Sequence, residues 1–250
     1  MRENRKKFAL PSLLLAALLL SRPAAVQPQA SSPAPVVEAL SAEAVIERLM
    51  AANRRRDELL AGWQVRRRYH LKNEIYEKEV ERIVDVTFRA PHELSFELVR
   101  EQGSGFVAQR VFGRMMEGEQ EALEPENKRR SVMTPENYDF RLLGQETLAG
   151  RPAYHLEVTP RREDTFLFQG TIWVDAEDFA VVRAQGKPAK RPSFWTRNID
   201  FLRTFKKVGP FWLPDRTEGV TQVLLFGTTW TTIENGDYTV RLNSSDGARS

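Results

Sequence analysis

Residues that commonly carry chemistry are sparse in this chain. The three histidines, His70, His92 and His155, lie far apart, and none belongs to a His-Glu-x-x-His pattern. His70 and His155 fall on alternate, outward positions of extended segments, where an exposed polar side chain is the ordinary role. Gly103-Ser104-Gly105 carries the centre of a nucleophile elbow but lacks the five-residue pattern and the strand-to-helix context, so it reads as a turn. Glu117, Glu119, Glu121, Glu124 and Glu126 offer paired acids, yet they sit in a polar segment where solvation accounts for them. The chain has no cysteine, which excludes thiolate nucleophiles, cysteine-ligated metals, disulfides and an acylated N-terminal cysteine. No phosphate-binding glycine loop is present. Catalytic residues, metal ligands and cofactors are therefore all assigned as none.

Aromatic residues are more informative, because they crowd into the C-terminal third. They fit either a filled β-rich core or the wall of an apolar cavity that accepts an acyl chain. Met115 and Met116 suit the second reading, since flexible thioethers repack around varied ligands. The residues expected to line such a cavity are Trp173, Trp195, Phe201, Phe205, Met115 and Met116. A register shift of one residue would turn the strand members to the other face. Lys187-Pro188-Ala189-Lys190-Arg191-Pro192 is a basic connection, read as a solvated hairpin loop or as a contact for an acidic partner or lipid headgroup.

The elements that must position these residues begin after an export signal. Arg2, Arg5, Lys6 and Lys7 precede an apolar run, Phe8 to Leu20, that is short for a membrane span of about 20 residues and fits a secretory signal over 1–30. Its cleavage site is weak because Pro28 stands where a small residue is preferred, so an uncleaved inner-membrane anchor is the alternative. Residues 1–30 hold five of the 37 basic and one of the 34 acidic residues, which leaves 32 against 33. The mature chain is near neutral, and nothing in its charge argues for nucleic acid. Residues 31–40 read as a flexible leader, 41–241 as one domain and 242–250 as a disordered tail.

Ser41 is a good N-cap for a helix reaching about Ala61, with Val45, Leu49, Ala52, Leu59 and Leu60 as its apolar stripe. Arg54, Arg55 and Arg56 read as a solvated face. Beyond Trp63, period-2 patterns recur between turn residues. They include Val65/Tyr69/Leu71, Val80/Val84/Val86/Phe88, Leu94/Phe96/Leu98 and an extended Phe106–Phe112. A short helix or lid is expected over Arg114–Leu123 and a loop over 124–136. Strands resume at Tyr154–Val158, Phe166–Val174, Phe179–Gln185 and Trp195–Phe205, and two long ones follow at about 211–226 and 228–241. Roughly ten antiparallel strands must curl as twist accumulates. The expected fold is therefore mainly β with flanking helices: a strongly curved antiparallel sheet, an incomplete β-barrel, closed by an N-terminal helix and a short lid helix.

A set of local motifs occurs in order: Asn137-Tyr138-Asp139-Phe140, Gly150-Arg151-Pro152-Ala153-Tyr154, Gly170-Thr171-Ile172-Trp173-Val174-Asp175 and Gly209-Pro210-Phe211-Trp212-Leu213-Pro214. This string resembles bacterial outer-membrane lipoprotein-sorting proteins, the LolA/LolB and RseB-type domain, over roughly residues 40–240. The resemblance implies a hydrophobic cavity between an open barrel and its helices, used by relatives to shield or sense lipoprotein acyl chains in the periplasm. The expected role is a periplasmic, non-enzymatic carrier of lipid or lipoprotein acyl chains. The alternative is an envelope sensor that binds an inner- or outer-membrane protein without carrying lipid. An uncharacterised hydrolase is the least favoured class.

Overall fold

The computed structural model describes residues 39–75, 78–103, 105–190, 196–224 and 227–243. The signal segment and Trp195 lie outside them. Helix α1 (Ala42–Leu59) begins where Ser41, in extended geometry, accepts the Ala44 N–H on its hydroxyl at 3.3 Å. It ends two residues sooner than its pattern suggests, because Leu60 turns extended and enters the sheet directly. Its inward stripe, Ala42, Val45, Ile46 and Leu49, is buried.

Strands β1 (Leu60–Asn73), β2 (Lys78–Arg89) and β3 (Glu93–Gln102) follow. Next come α2 (Gly105–Leu123) and α3 (Pro125–Ser131), then β4 (Tyr138–Leu148), β5 (Arg151–Pro160), β6 (Phe168–Asp175) and β7 (Val181–Pro188). The last are β8 (Thr196–Val208), β9 (Phe211–Val223) and β10 (Gly227–Leu242). Two local readings are corrected. Phe106–Phe112 belongs to the 19-residue α2 rather than to a strand, and the expected loop over 124–136 contains α3.

All ten strands form one antiparallel sheet in the order β3-β2-β1-β10-β9-β8-β7-β6-β5-β4, not closed into a barrel. The curved, incomplete barrel with flanking helices is the architecture observed. Every pairing except β1–β10 is a hairpin between chain neighbours. Since β3 and β4 lie at opposite ends of the order, the chain must cross the whole sheet between them. The segment that crosses is α2–α3, which explains helices on the concave side.

Two cores fill the concave face. One packs α1 on β4–β7, around Tyr138, Tyr154, Leu156, Ile172 and Val174. The other packs α2 on β1–β3, around Val65, Tyr69, Val84, Val86 and Phe112. Burying a side chain such as Leu49 or Val84 contributes about 1.5–3 kcal/mol, so each core is a substantial anchor. In the first, Gly170 and Gly186 face each other at close approach: a Cβ on Gly170 would lie 2.0 Å from the Gln185 carbonyl oxygen. The convex face is laced by exposed cross-strand pairs such as Arg66–Asp85 at 2.8 Å, each worth little alone.

Candidate functional site

Between the two cores, β9 and β10 present small inward side chains. Three successive rungs pair Thr217 with Ile233, Gly219 with Thr231, and Thr221 with Thr229. Each rung has a threonine or glycine where the flanking cores have Tyr, Val or Ile, so the floor cannot fill the space beneath the helix. The result is a cavity of about 360 Å³ lined by these six residues with Val111 and Met115 of α2 above. Val111, Met115 and Glu119 stand at i, i+4 and i+8, one face of the helix directed at this trough.

Beyond the Thr217–Ile233 rung the chemistry turns polar. Arg67, buried on β1, donates from Nε to the Asn235 Oδ1 at 2.7 Å and from Nη1 to both Glu119 oxygens at 2.6 and 2.9 Å. The same nitrogen reaches the Tyr69 hydroxyl at 3.0 Å, and that hydroxyl donates to Glu119 at 3.3 Å. Burial alone would lower the Arg67 pKa, but Glu119 and Tyr69 outweigh it and raise it. Tyr69 is pushed up to about 12, first by burial and then by the Glu119 charge. This network fastens α2 to the sheet. Arg82 lies 5.1 Å below the Phe112 ring and is itself paired with Glu101.

The six residues read from the sequence do not come together. Met115 lines the cavity, while Met116 packs into the β1–β3 core beside it. Phe201 pairs with Gly219 across the strands but turns its ring edge-on to Phe168 at 5.2 Å, in the other core. Phe205 is on the opposite face, because a bulge between Thr204 and Phe205 shifts the alternation, and it lines a cleft with Arg151 and Trp212. Trp173 is also on the outer face, stacked on His155 at 4.3 Å and crossed by Arg183 at 4.7 Å. Trp195 is outside the described residues.

Other polar residues have duties that their sequence context did not suggest. His155 is mostly covered rather than exposed, with Nδ1 2.8 Å from Glu146. Arg56 leaves the solvated face expected of its triplet and donates to the Phe179 and Asp178 carbonyls. Asp175 is buried and accepts from Arg151 at 2.6 and 2.8 Å and from the Glu177 and Asp178 amides. The Trp-Val-Asp and Gly-Arg-Pro motifs thus form a structural clamp. The cavity floor was missed altogether, although the alternating Thr217/Gly219/Thr221 and Thr229/Thr231 pattern was available to mark it.

An open antiparallel half-barrel, roofed by helices over a partly unfilled trough, is the class that fold and site define. Residues 84–186 match the family model of the MucB/RseB N-terminal domain, which supports the LolA/RseB-like resemblance read from the motifs. Among curated proteins none matches. Solved structures similar to the chain include a DUF1329 family protein from Desulfovibrio piger, at 14% identity over 82% of this chain and 95% of that one, TM-score 0.41. A LolA superfamily protein from Nitrosomonas europaea is 15% identical over 83% and 96%, TM-score 0.37. The Pseudomonas aeruginosa MucA/MucB complex contains a chain 13% identical over 78% and 93%, TM-score 0.28.

Proposed function

We propose that this protein is an exported, envelope-located carrier that shields an acyl chain in the trough beneath α2. The observation that supports it is the cavity itself: about 360 Å³, with apolar side chains above and small residues below, between two otherwise filled cores. That size falls in the usual range of small-molecule pockets, and each methylene moved out of water contributes about 0.8 kcal/mol. Helix α2 acts as the lid. Its attachment on the trough side includes the polar Glu119–Arg67 pair, while Phe112 and Met116 hold its other side in the β1–β3 core. Among the described residues no helix is long and apolar enough to cross a membrane.

The test is native mass spectrometry with organic extraction of protein purified from an envelope fraction, together with titration of a fluorescent fatty acid. Co-purifying acyl species and saturable uptake are expected. A protein that is consistently empty and takes up no probe refutes the carrier. A second reading, a domain that binds an envelope protein, is supported by another surface. A cleft of about 420 Å³ between α1 and the terminal strand β4 has an apolar floor of Ile46, Met50 and Phe140 and a charged rim. Retention of a membrane protein by lipid-free material would favour that reading.

A further inference from the structure

We propose that Arg203 and Thr217 form an anion subsite at the polar end of the cavity, so that its ligand is a single-chain amphiphile with an acidic head, a carboxylate or a phosphate monoester. The inference rests on the cavity under α2 being the ligand site. Three cations meet at the polar end of the trough. Arg67 is neutralised by Glu119, and Lys206 by Asp215 at 3.0 Å together with two backbone carbonyls. Arg203 has no carboxylate within ion-pair distance among the described residues, and its one hydrogen bond runs from Nε to the Thr217 hydroxyl at 3.1 Å.

Its position makes this lone charge a ligand-facing one. Arg203 pairs across the sheet with Ala184 on one side and Thr217 on the other, which places it on the concave face. Its side chain is exposed to solvent, as at the open end of a trough rather than in a core. Desolvation by the surrounding protein works against its ionisation most, the nearby Glu119 carboxylate favours it and the Arg67 charge opposes it again, and the guanidinium stays protonated. Glu119 is already bonded to Arg67, so the Arg203 guanidinium keeps donors that an incoming anion can take up as charge-assisted hydrogen bonds. Thr217 completes the geometry. Its oxygen accepts from Arg203, so its own O–H remains free to donate to the same anion. The acyl chain then runs from this head along Gly219 and Thr221 under Met115.

The experiment compares dodecanoate, dodecyl phosphate and dodecanol by displacement of a fluorescent fatty-acid probe from the whole mature protein. Both acids are expected to bind about tenfold or more tighter than the alcohol, the ordinary scale of a charge-assisted hydrogen bond. Arg203→Met is expected to erase that difference, Thr217→Val to narrow it, and Arg203→Lys to retain part of it. The better of the two acids identifies the head as carboxylate or phosphate. Equal affinity for acid and alcohol in the wild type, or a preference that survives in R203M, overturns the subsite while leaving the cavity as an acyl site. Failure of all three ligands to bind removes the carrier reading and the subsite with it. Circular dichroism of R203M and R203K confirms that each variant is folded before the comparison is made.

Discussion

Filling the cavity from its floor separates a hollow trough from a packed core. Gly219 is the position to use, because a Cβ built there meets nothing nearer than the Asp200 carbonyl oxygen and Thr231 Cβ at 4.0 Å, and its backbone is not in the left-handed region. Gly219→Leu therefore projects four carbons into open space below Val111 and Met115. Burial of that side chain contributes up to about 2 kcal/mol, and loss of glycine from a strand interior adds roughly 0.5–1 kcal/mol. The variant is expected to melt several degrees higher than wild type. An acyl ligand loses room for about four methylenes at about 0.8 kcal/mol each, on the order of a hundredfold in affinity. Thermal unfolding and probe titration on the same preparation read both effects. A stable protein with wild-type uptake would mean that the chain binds elsewhere, and a strongly destabilised one would mean that the floor is already filled.

Glu119→Leu leaves Arg67 buried without its carboxylate. Loss of a fully buried partner costs about 3–5 kcal/mol, but Glu119 is about one-third exposed, so about 2 kcal/mol is expected, read as faster hydrogen exchange in α2 with α1 unchanged. Asp164 gives the acid response. Burial opposes its ionisation, but the Phe166 amide, Arg130 and Arg162 outweigh that and hold its pKa below the ordinary carboxylate range. Its stabilisation is thus present above the unfolded value of about 3.9 and is lost as pH falls through the folded one. D164N should be less stable at pH 7 and show a shallower acid decline in urea titrations. Phe205→Ala should lower stability by about 1–2 kcal/mol, since the ring is partly covered, and leave probe uptake at the wild-type level because it lies on the outer face.

The strand count, the antiparallel hairpins and the cap at Ser41 were legible because each depends on local alternation or one turn of backbone. Helix α2 was not, since Phe106–Phe112 taken alone suits either period. Only the continuation through Val111, Met115 and Glu119 at four-residue spacing favours the longer helix. Phe205 was misplaced by a bulge, and the one local sign was Pro214 opposite it, a residue that cannot donate to the ladder. Trp173 was misplaced because Ile172 and Trp173 are both buried, so burial on the two faces hides the parity that would assign them. The motifs that carried the family resemblance belong to the Arg151–Asp175 clamp, which holds the scaffold and says nothing of the ligand. Large aromatic residues drew attention to filled volume, whereas a cavity is written in the small residues opposite a helix.

The two long helices are fastened by different physics, and this links the fold to its proposed use. Four buried side chains of α1 sit in a dry core, so lifting it would expose that apolar surface to water. In the part of α2 whose side chains are described, Phe112 alone is fully buried. Val111, Met115, Met116 and Leu123 pack partly buried against the same core, and the polar attachments include the Arg67–Glu119 pair, the Arg82 contact with the Phe112 ring and a bond from Gln120 to the Leu94 carbonyl at 2.9 Å. Water can replace polar partners of that kind when the helix moves, and an acyl chain can replace the apolar contacts of Val111 and Met115. The helix that roofs the cavity is therefore held by an apolar core on one side and by polar bonds on the trough side, whereas α1 is held by apolar packing on β4–β7.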